Sequence, residues 1–333
     1  MTTEQLAPLF KKLRAFGFDR LYIERILPEW WDDSAAESPS ALMELKLQLA
    51  RSLSLDPKTV LEDEAELAFR QNVPAAFKAS RSKVGQPLQA ARAVAEAAAR
   101  VAVEGCRTSY RPPAAADEVR DTALADGHPW ISFEVLLDYC WSVGIPVIHV
   151  TDLPGHKMDG MVAIINGQPA IVLALDKRRS AWLLFTLAHE LGHIACNHLD
   201  EEIVDVHVVR NSKDPREVDA NRYALMLLTG GATRYVNSSK TRSLSGAALA
   251  VSARQIAHER KVDPGHIVLN YADSETTRGA DPGKTWGAAN NALKELGDPD
   301  PRPLVKKHID KYFDPDAVSD DSYDFFRKVT GME

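Results

Sequence analysis

Apolar residues recur at helical spacing through roughly the first hundred positions, broken by clear stop signals. Leu6, Leu9, Phe10 and Leu13 form one stripe that stops near Gly17, and Leu21, Ile23, Ile26 and Leu27 form a second that meets Pro28. A third stripe (Leu42, Leu45, Leu49, Leu53) follows a cap at Ser38 or Ser40, and Asp56-Pro57 has the form of a fresh helix start. Trp30 and Trp31, between the second and third stripes, read as core plugs or a docking patch. Residues 87–105 are alanine-rich, with proline just inside the start and glycine just past the end, and predict a long helix on propensity alone. Lys78, Arg81 and Lys83, just before it, read as solvated basic surface, and residues 107–129 read as a connector.

Beyond the connector the pattern mixes periods. A helix capped by Ser132 is expected to run to Val143, followed by a strand over 145–150. The apolar runs 161–165 and 170–175 are separated by Asn166-Gly167, and both turn residues tolerate positive φ, so a β-hairpin is expected. An apolar helix starts near Ser180, and an amphipathic one spans 215–228 with Ala220, Tyr223, Ala224, Leu227 and Leu228 on its inward face. Residues 247–271 have a helix–turn–helix shape without a concentrated basic face, which favours packing over DNA reading. A tail over 279–333 holds a helix around 286–296, a proline-rich break at 298–303 and acidic, aromatic-dotted helical pieces. The expected fold class is α+β: a helical region over 1–115, a domain with a small sheet over 116–275, and a helical extension over 276–333.

Composition narrows the function class. The 333 residues carry a formal net charge of −7, which argues against a broad nucleic-acid-binding surface, and 45% apolar with 26% charged content is ordinary for a globular chain. Cys106, Cys140 and Cys196 show no paired spacing, so neither a disulfide framework nor a cysteine zinc site is expected. The amino terminus lacks a signal-peptide pattern and no apolar run reaches membrane-spanning length; a cytoplasmic protein without membrane contact is expected.

The chemistry concentrates in Leu187-Ala-His-Glu-Leu-Gly-His193. His189 and His193 are four apart and therefore share one helix face. Two imidazoles so placed can hold Zn²⁺, with Glu190 as general base on a water that the metal activates. Histidines and a glutamate inside so apolar a helix are costly to bury without partners. A catalytic zinc usually takes three protein ligands, and the amphipathic helix supplies the third. At about 100° per residue, Glu217 falls about 50° from the centre of its apolar face and Asp219 about 110° away, which favours Glu217 and keeps Asp219 as the alternative. An edge of the hairpin, at Ala170, Ile171, Val172 and Leu173, is the expected substrate-binding strand, because an extended peptide can add to a sheet edge. Tyr223, His207 and His198 are unranked candidates for stabilising the oxyanion; His198 otherwise reads as a cap or packing residue at the helix end. Cys196 reads as a packing thiol, and His149 and His156 carry no specific role.

In the order of these parts, Ile145 to Tyr271 resembles the ImmA/IrrE family of metallopeptidases. The resemblance rests on Asp159-Gly160 with the hairpin, Phe185-Thr-Leu-Ala-His-Glu-Leu-Gly-His193, Glu217-x-x-Ala-Asn-Arg-Tyr-Ala224-x-x-Leu-Leu228, and Val262-Asp-Pro-Gly-His-Ile-Val268. It implies a zincin-like, gluzincin-type peptidase domain with zinc on His189, His193 and Glu217, and a protein substrate of the helix-turn-helix repressor class. Two features depart from the family: the second helix ends Leu-Leu-Thr-Gly-Gly231 instead of Leu-Leu-Met-Pro, and the amino-terminal region lacks the Ser-Gln-x-x-Leu-Ala signature of a fused DNA-binding domain. The competing expectations are a regulatory module that sequesters a repressor around a structural zinc site, and a DNA-binding transcription factor, which the net charge disfavours.

Overall fold

The computed structural model describes residues 6–32, 34–62, 64–70, 86–150, 152–155, 158–198, 203–205, 214–231 and 244–332. Five helices come first: α1 (Ala7–Ala15), α2 (Arg20–Ile26), α3 (Pro39–Ser52), α4 (Pro57–Leu61) and α5 (Gln86–Glu104). Their starts are set by side-chain caps, with Asp19 accepting from Tyr22 N at 2.8 Å and Asp56 from Lys58 N at 3.0 Å. Of the two serines before α3, Ser38 is the cap, accepting from Ala41 N. Trp31 packs on the core edge, whereas Trp30 is 37% exposed and donates its indole N–H to Asp321. Lys78, Arg81 and Lys83 lie outside the described residues.

The expected connector contains a helix, α6 (Ala116–Ala125), that sequence reading missed. Its inward face is small, Ala116 and Val119, and its third buried residue is Arg120, which reads as surface in a sequence. Arg120 is 6% exposed and donates to the carbonyls of Leu227 and Leu228 at 3.2 and 3.0 Å and of Arg260 and Lys261 at 3.4 and 2.7 Å. Those carbonyls end two helices introduced below, so one guanidinium satisfies acceptors that helix termini leave open.

Helix α7 (Phe133–Ser142) follows, capped by Ser132, and then a mixed four-stranded sheet in the order β1-β3-β2-β4. β1 (Val147–His149) is parallel to β3 (Gln168–Leu173), which is antiparallel to β2 (Gly160–Ile165). The turn between β2 and β3 is the Asn166-Gly167 hairpin, with φ of 52° and 83°. β4 (Ile203–Asp205) pairs antiparallel with Gly160–Val162 of β2. Ala170, Ile171, Val172 and Leu173 are all fully buried. Successive strand residues face opposite ways, so both faces of the sheet are covered; α5 packs on it, as does the apolar helix α8 (Ser180–Ala195).

Six further helices complete the order: α9 (Pro215–Thr229), α10 (Gly246–Arg260), α11 (Pro264–Thr277), α12 (Pro282–Leu296), α13 (Pro301–Tyr312) and α14 (Asp320–Thr330). Arg120 therefore joins the ends of α9 and α10. α10, α11 and α12 share a second apolar cluster with Ala181 of α8. Gly265 to Ala272 of α11 are buried, which commits that helix to packing. The main cluster runs from Leu6 to Met332 and crosses the expected boundaries near residues 115 and 276: α13 packs on α7 and β1, and α14 on α2, α3 and α5. Among the described residues, no helix is long and apolar enough to cross a membrane.

Candidate metal centre

The site is built on α8, and α8 is held at its start by the carboxyl-terminal segment. Asp298 accepts from Ser180 Oγ at 2.9 Å and from Ala181 N at 3.1 Å, while Ser180 N donates to Pro299 O at 2.8 Å. These bonds satisfy amide groups that a helix start leaves open. Burial raises the Asp298 carboxyl above its ordinary range, against the opposing pull of those donors.

His189, Glu190 and His193 are fully buried. The two imidazoles stand perpendicular, with Nε2 atoms 3.1 Å apart, and Phe185 stacks one turn below on His189 at 6.3 Å between centroids. Glu217 faces both from α9: its Oε2 lies 3.4 Å from His189 Nε2 and its Oε1 3.4 Å from His193 Nε2. What lets α9 come so near is Gly192. A Cβ built there would lie 2.8 Å from Ala220 O, 3.0 Å from Ala220 Cα and 3.2 Å from Tyr223 Cβ, so the helices touch backbone to backbone. Burial alone would raise the Glu217 carboxyl, but the two imidazoles outweigh it and hold the group at about 2.

Among the described residues, His189, His193 and Glu217 form the one group of three able to hold a metal ion. Donors on a tetrahedral ion with bonds of about 2.0–2.1 Å lie about 3.3 Å from one another. The observed spacings of 3.1, 3.4 and 3.4 Å match that triangle. Two imidazoles and a carboxylate suit zinc and also other first-row divalent ions. Compared with protein-family models, with curated proteins and with solved structures, the chain matches none.

Asp219, the alternative ligand, is outside the group: it pairs with Arg222 at 2.8 Å and is 43% exposed. Glu190 lies beside β2. A Cβ on Gly160 would overlap Glu190 Oε1, so the missing side chain there makes room for the carboxylate.

The expected substrate strand is corrected. Ala170 to Leu173 lie in β3, which has β1 on one side and β2 on the other. Its backbone groups are already paired and it offers no edge; among the described residues the edge strands are β1 and β4. The hairpin was legible locally, but which strand ends up central depends on pairing with distant segments.

Tyr223 donates its hydroxyl to Ala114 O at 2.9 Å, away from the triangle. Cys196 is exposed, not packed. His149 is buried at the end of β1, with Nε2 3.1 Å from Leu175 O. His156 and His207 lie outside the described residues. His198, an oxyanion candidate that otherwise reads as a cap or packing residue, closes the end of α8 with its N–H on His193 O at 3.0 Å, and its Nδ1 lies 3.1 Å from His193 Nδ1. Gly192 and Gly160 were also missed as site-forming residues; an isolated glycine inside a helical pattern was the available signal for the first.

Proposed function

We propose that the chain is a zinc-dependent endopeptidase that acts in the cytoplasm on a specific protein, of the helix-turn-helix repressor class that the ImmA/IrrE resemblance implies. The observation that carries this reading is the triangle of His189, His193 and Glu217 donors with Glu190 next to it in the same buried helix turn. Those three residues would hold zinc, which when bound supplies Lewis acidity, polarising a peptide carbonyl and acidifying water. Glu190 would take the proton of the attacking water on its carboxylate and deliver it to the leaving amine. Gly160 keeps that carboxylate against β2, so the substrate backbone is proposed to run on the β4 side of the sheet instead of along β3.

A second reading is a module that binds a repressor without cutting it, for which Leu21 and Met43, 79% and 56% exposed on α2 and α3, would offer apolar contacts. One experiment separates the two. The purified chain and Glu190→Gln are incubated with zinc and the helix-turn-helix repressor encoded nearest to its gene. Cleavage by the first alone, at equal zinc content, supports the peptidase; equal cleavage by both refutes the role of Glu190. Capture of uncut repressor by both supports the module.

A further inference from the structure

We propose that His198 is the positioning residue for His193, fixing which nitrogen of that ring faces the metal. The inference rests on the metal reading above and goes beyond it.

A residue five positions beyond His193 on a continuing helix would lie about 140° around the axis and could not reach it. The chain solves this by ending α8 at Ala195 and turning back. Asn197 adopts a left-handed φ of 56°, and His198 N donates to His193 O at 3.0 Å, closing the last turn. That closure lays the His198 ring against His193, with centroids 5.3 Å apart and the two Nδ1 atoms at 3.1 Å.

The two nitrogens of His193 then have different tasks. Nε2 faces His189 Nε2 at 3.1 Å and Glu217 Oε1 at 3.4 Å, the direction from which a metal would be held. A neutral imidazole has one donor and one acceptor nitrogen. If Nε2 gives its lone pair to a metal, Nδ1 carries the proton, and the atom in front of it is His198 Nδ1. His198 must accept there and carry its own proton on Nε2. A single contact thus fixes both tautomers and the rotation of the His193 ring. The acceptor is a neutral imidazole instead of the carboxylate often found behind zinc-bound histidines, so this contact orients His193 without adding negative charge. His198 touches neither substrate nor reacting atoms; its action is through His193.

The test uses the full chain, with zinc affinity measured by competition with a chromophoric chelator. His198→Ala should bind zinc about ten- to a hundredfold more weakly, while the melting temperature of the metal-free protein stays unchanged. His198→Gln, whose amide oxygen can accept, should recover part of the loss. Long-range ¹H–¹⁵N spectra of the histidine-labelled zinc protein should show His198 protonated at Nε2 and, beside the Nδ1 proton that zinc on Nε2 requires of His193, a ¹⁵N–¹⁵N coupling across the contact between the two Nδ1 atoms; this readout needs no variant to fold, and a role confined to helix packing would not produce the coupling. Unchanged zinc affinity in His198→Ala, or His198 protonated at Nδ1, overturns the proposal while leaving the metal site standing. Absence of zinc binding by the unaltered chain overturns the metal reading itself, and this inference with it.

Discussion

Gly192→Ala separates two physical expectations of opposite sign. On helix propensity alone, replacing a mid-helix glycine by alanine stabilises by about 1 kcal/mol. The structure predicts the reverse, because the added carbon would sit 3.0 Å from Ala220 Cα and 2.8 Å from Ala220 O. Carbon atoms pack comfortably at about 3.5–4.0 Å, so α8 and α9 must part locally by about 0.5–1 Å. Overpacking of that kind costs about 1–3 kcal/mol, which cancels or exceeds the propensity gain. The greater effect falls on metal binding. Glu217 lies one turn from Ala220 on the displaced helix, and its oxygens stand 3.4 Å from both imidazoles, with no slack toward larger separation for a tetrahedral ion. Losing even half of one good ligand interaction, about 1.4 kcal/mol, is tenfold in affinity. Chelator competition should show zinc binding at least tenfold weaker in Gly192→Ala, and thermal unfolding should show a smaller zinc-induced rise in melting temperature. A variant that melts higher than the unaltered chain and binds zinc equally well would refute the close-approach argument.

Further outcomes follow from neighbouring contacts. Gly160→Ala pushes on Glu190 Oε1 and should lower peptide cleavage by about a hundredfold through misplacement of that carboxylate, with zinc content unchanged by elemental analysis. Arg120→Met leaves four helix-end carbonyls short of a donor and should cost about 2–4 kcal/mol in urea unfolding. Asp263, which caps α11, is raised to about 7, chiefly by burial, with the Asp298 charge adding to it and bonds from His266 N and Trp130 opposing. A folded-state value above the unfolded one means that the folded form holds the proton longer. The contribution is complete below the unfolded value of about 4 and is lost as pH rises through about 7. Asp263→Asn keeps an oxygen for the cap and should flatten the stability profile between about pH 4 and pH 7; an unchanged slope would refute the assignment.

The parts of the site that depend on local periodicity were legible in the sequence. Four-residue spacing put His189 and His193 on one face, and the phase of 215–228 separated Glu217 from Asp219, whose carboxylate indeed turns to Arg222 on the surface. The Asn166-Gly167 turn was likewise readable from its residues. What escaped was set by distant partners. The cap on α8 comes from Asp298, 118 residues after Ser180. β3 became central because β1 joined it in parallel, which no local pattern announces. α6 escaped because its buried face is two small apolar residues and an arginine that clamps carbonyls, and hydrophobic periodicity does not register such a face. His198 reaches His193 only through a left-handed residue after the helix end, where helical spacing no longer applies.

His189, His193 and Glu217 are proposed to hold one metal ion together. Elemental analysis of the purified chain beside Glu217→Ala, Asp219→Ala and Glu190→Gln tests it most directly. One zinc per chain is expected in the unaltered protein, in Asp219→Ala and in Glu190→Gln, with substantial loss in Glu217→Ala. Full zinc content in Glu217→Ala, or loss in Asp219→Ala alone, would contradict it.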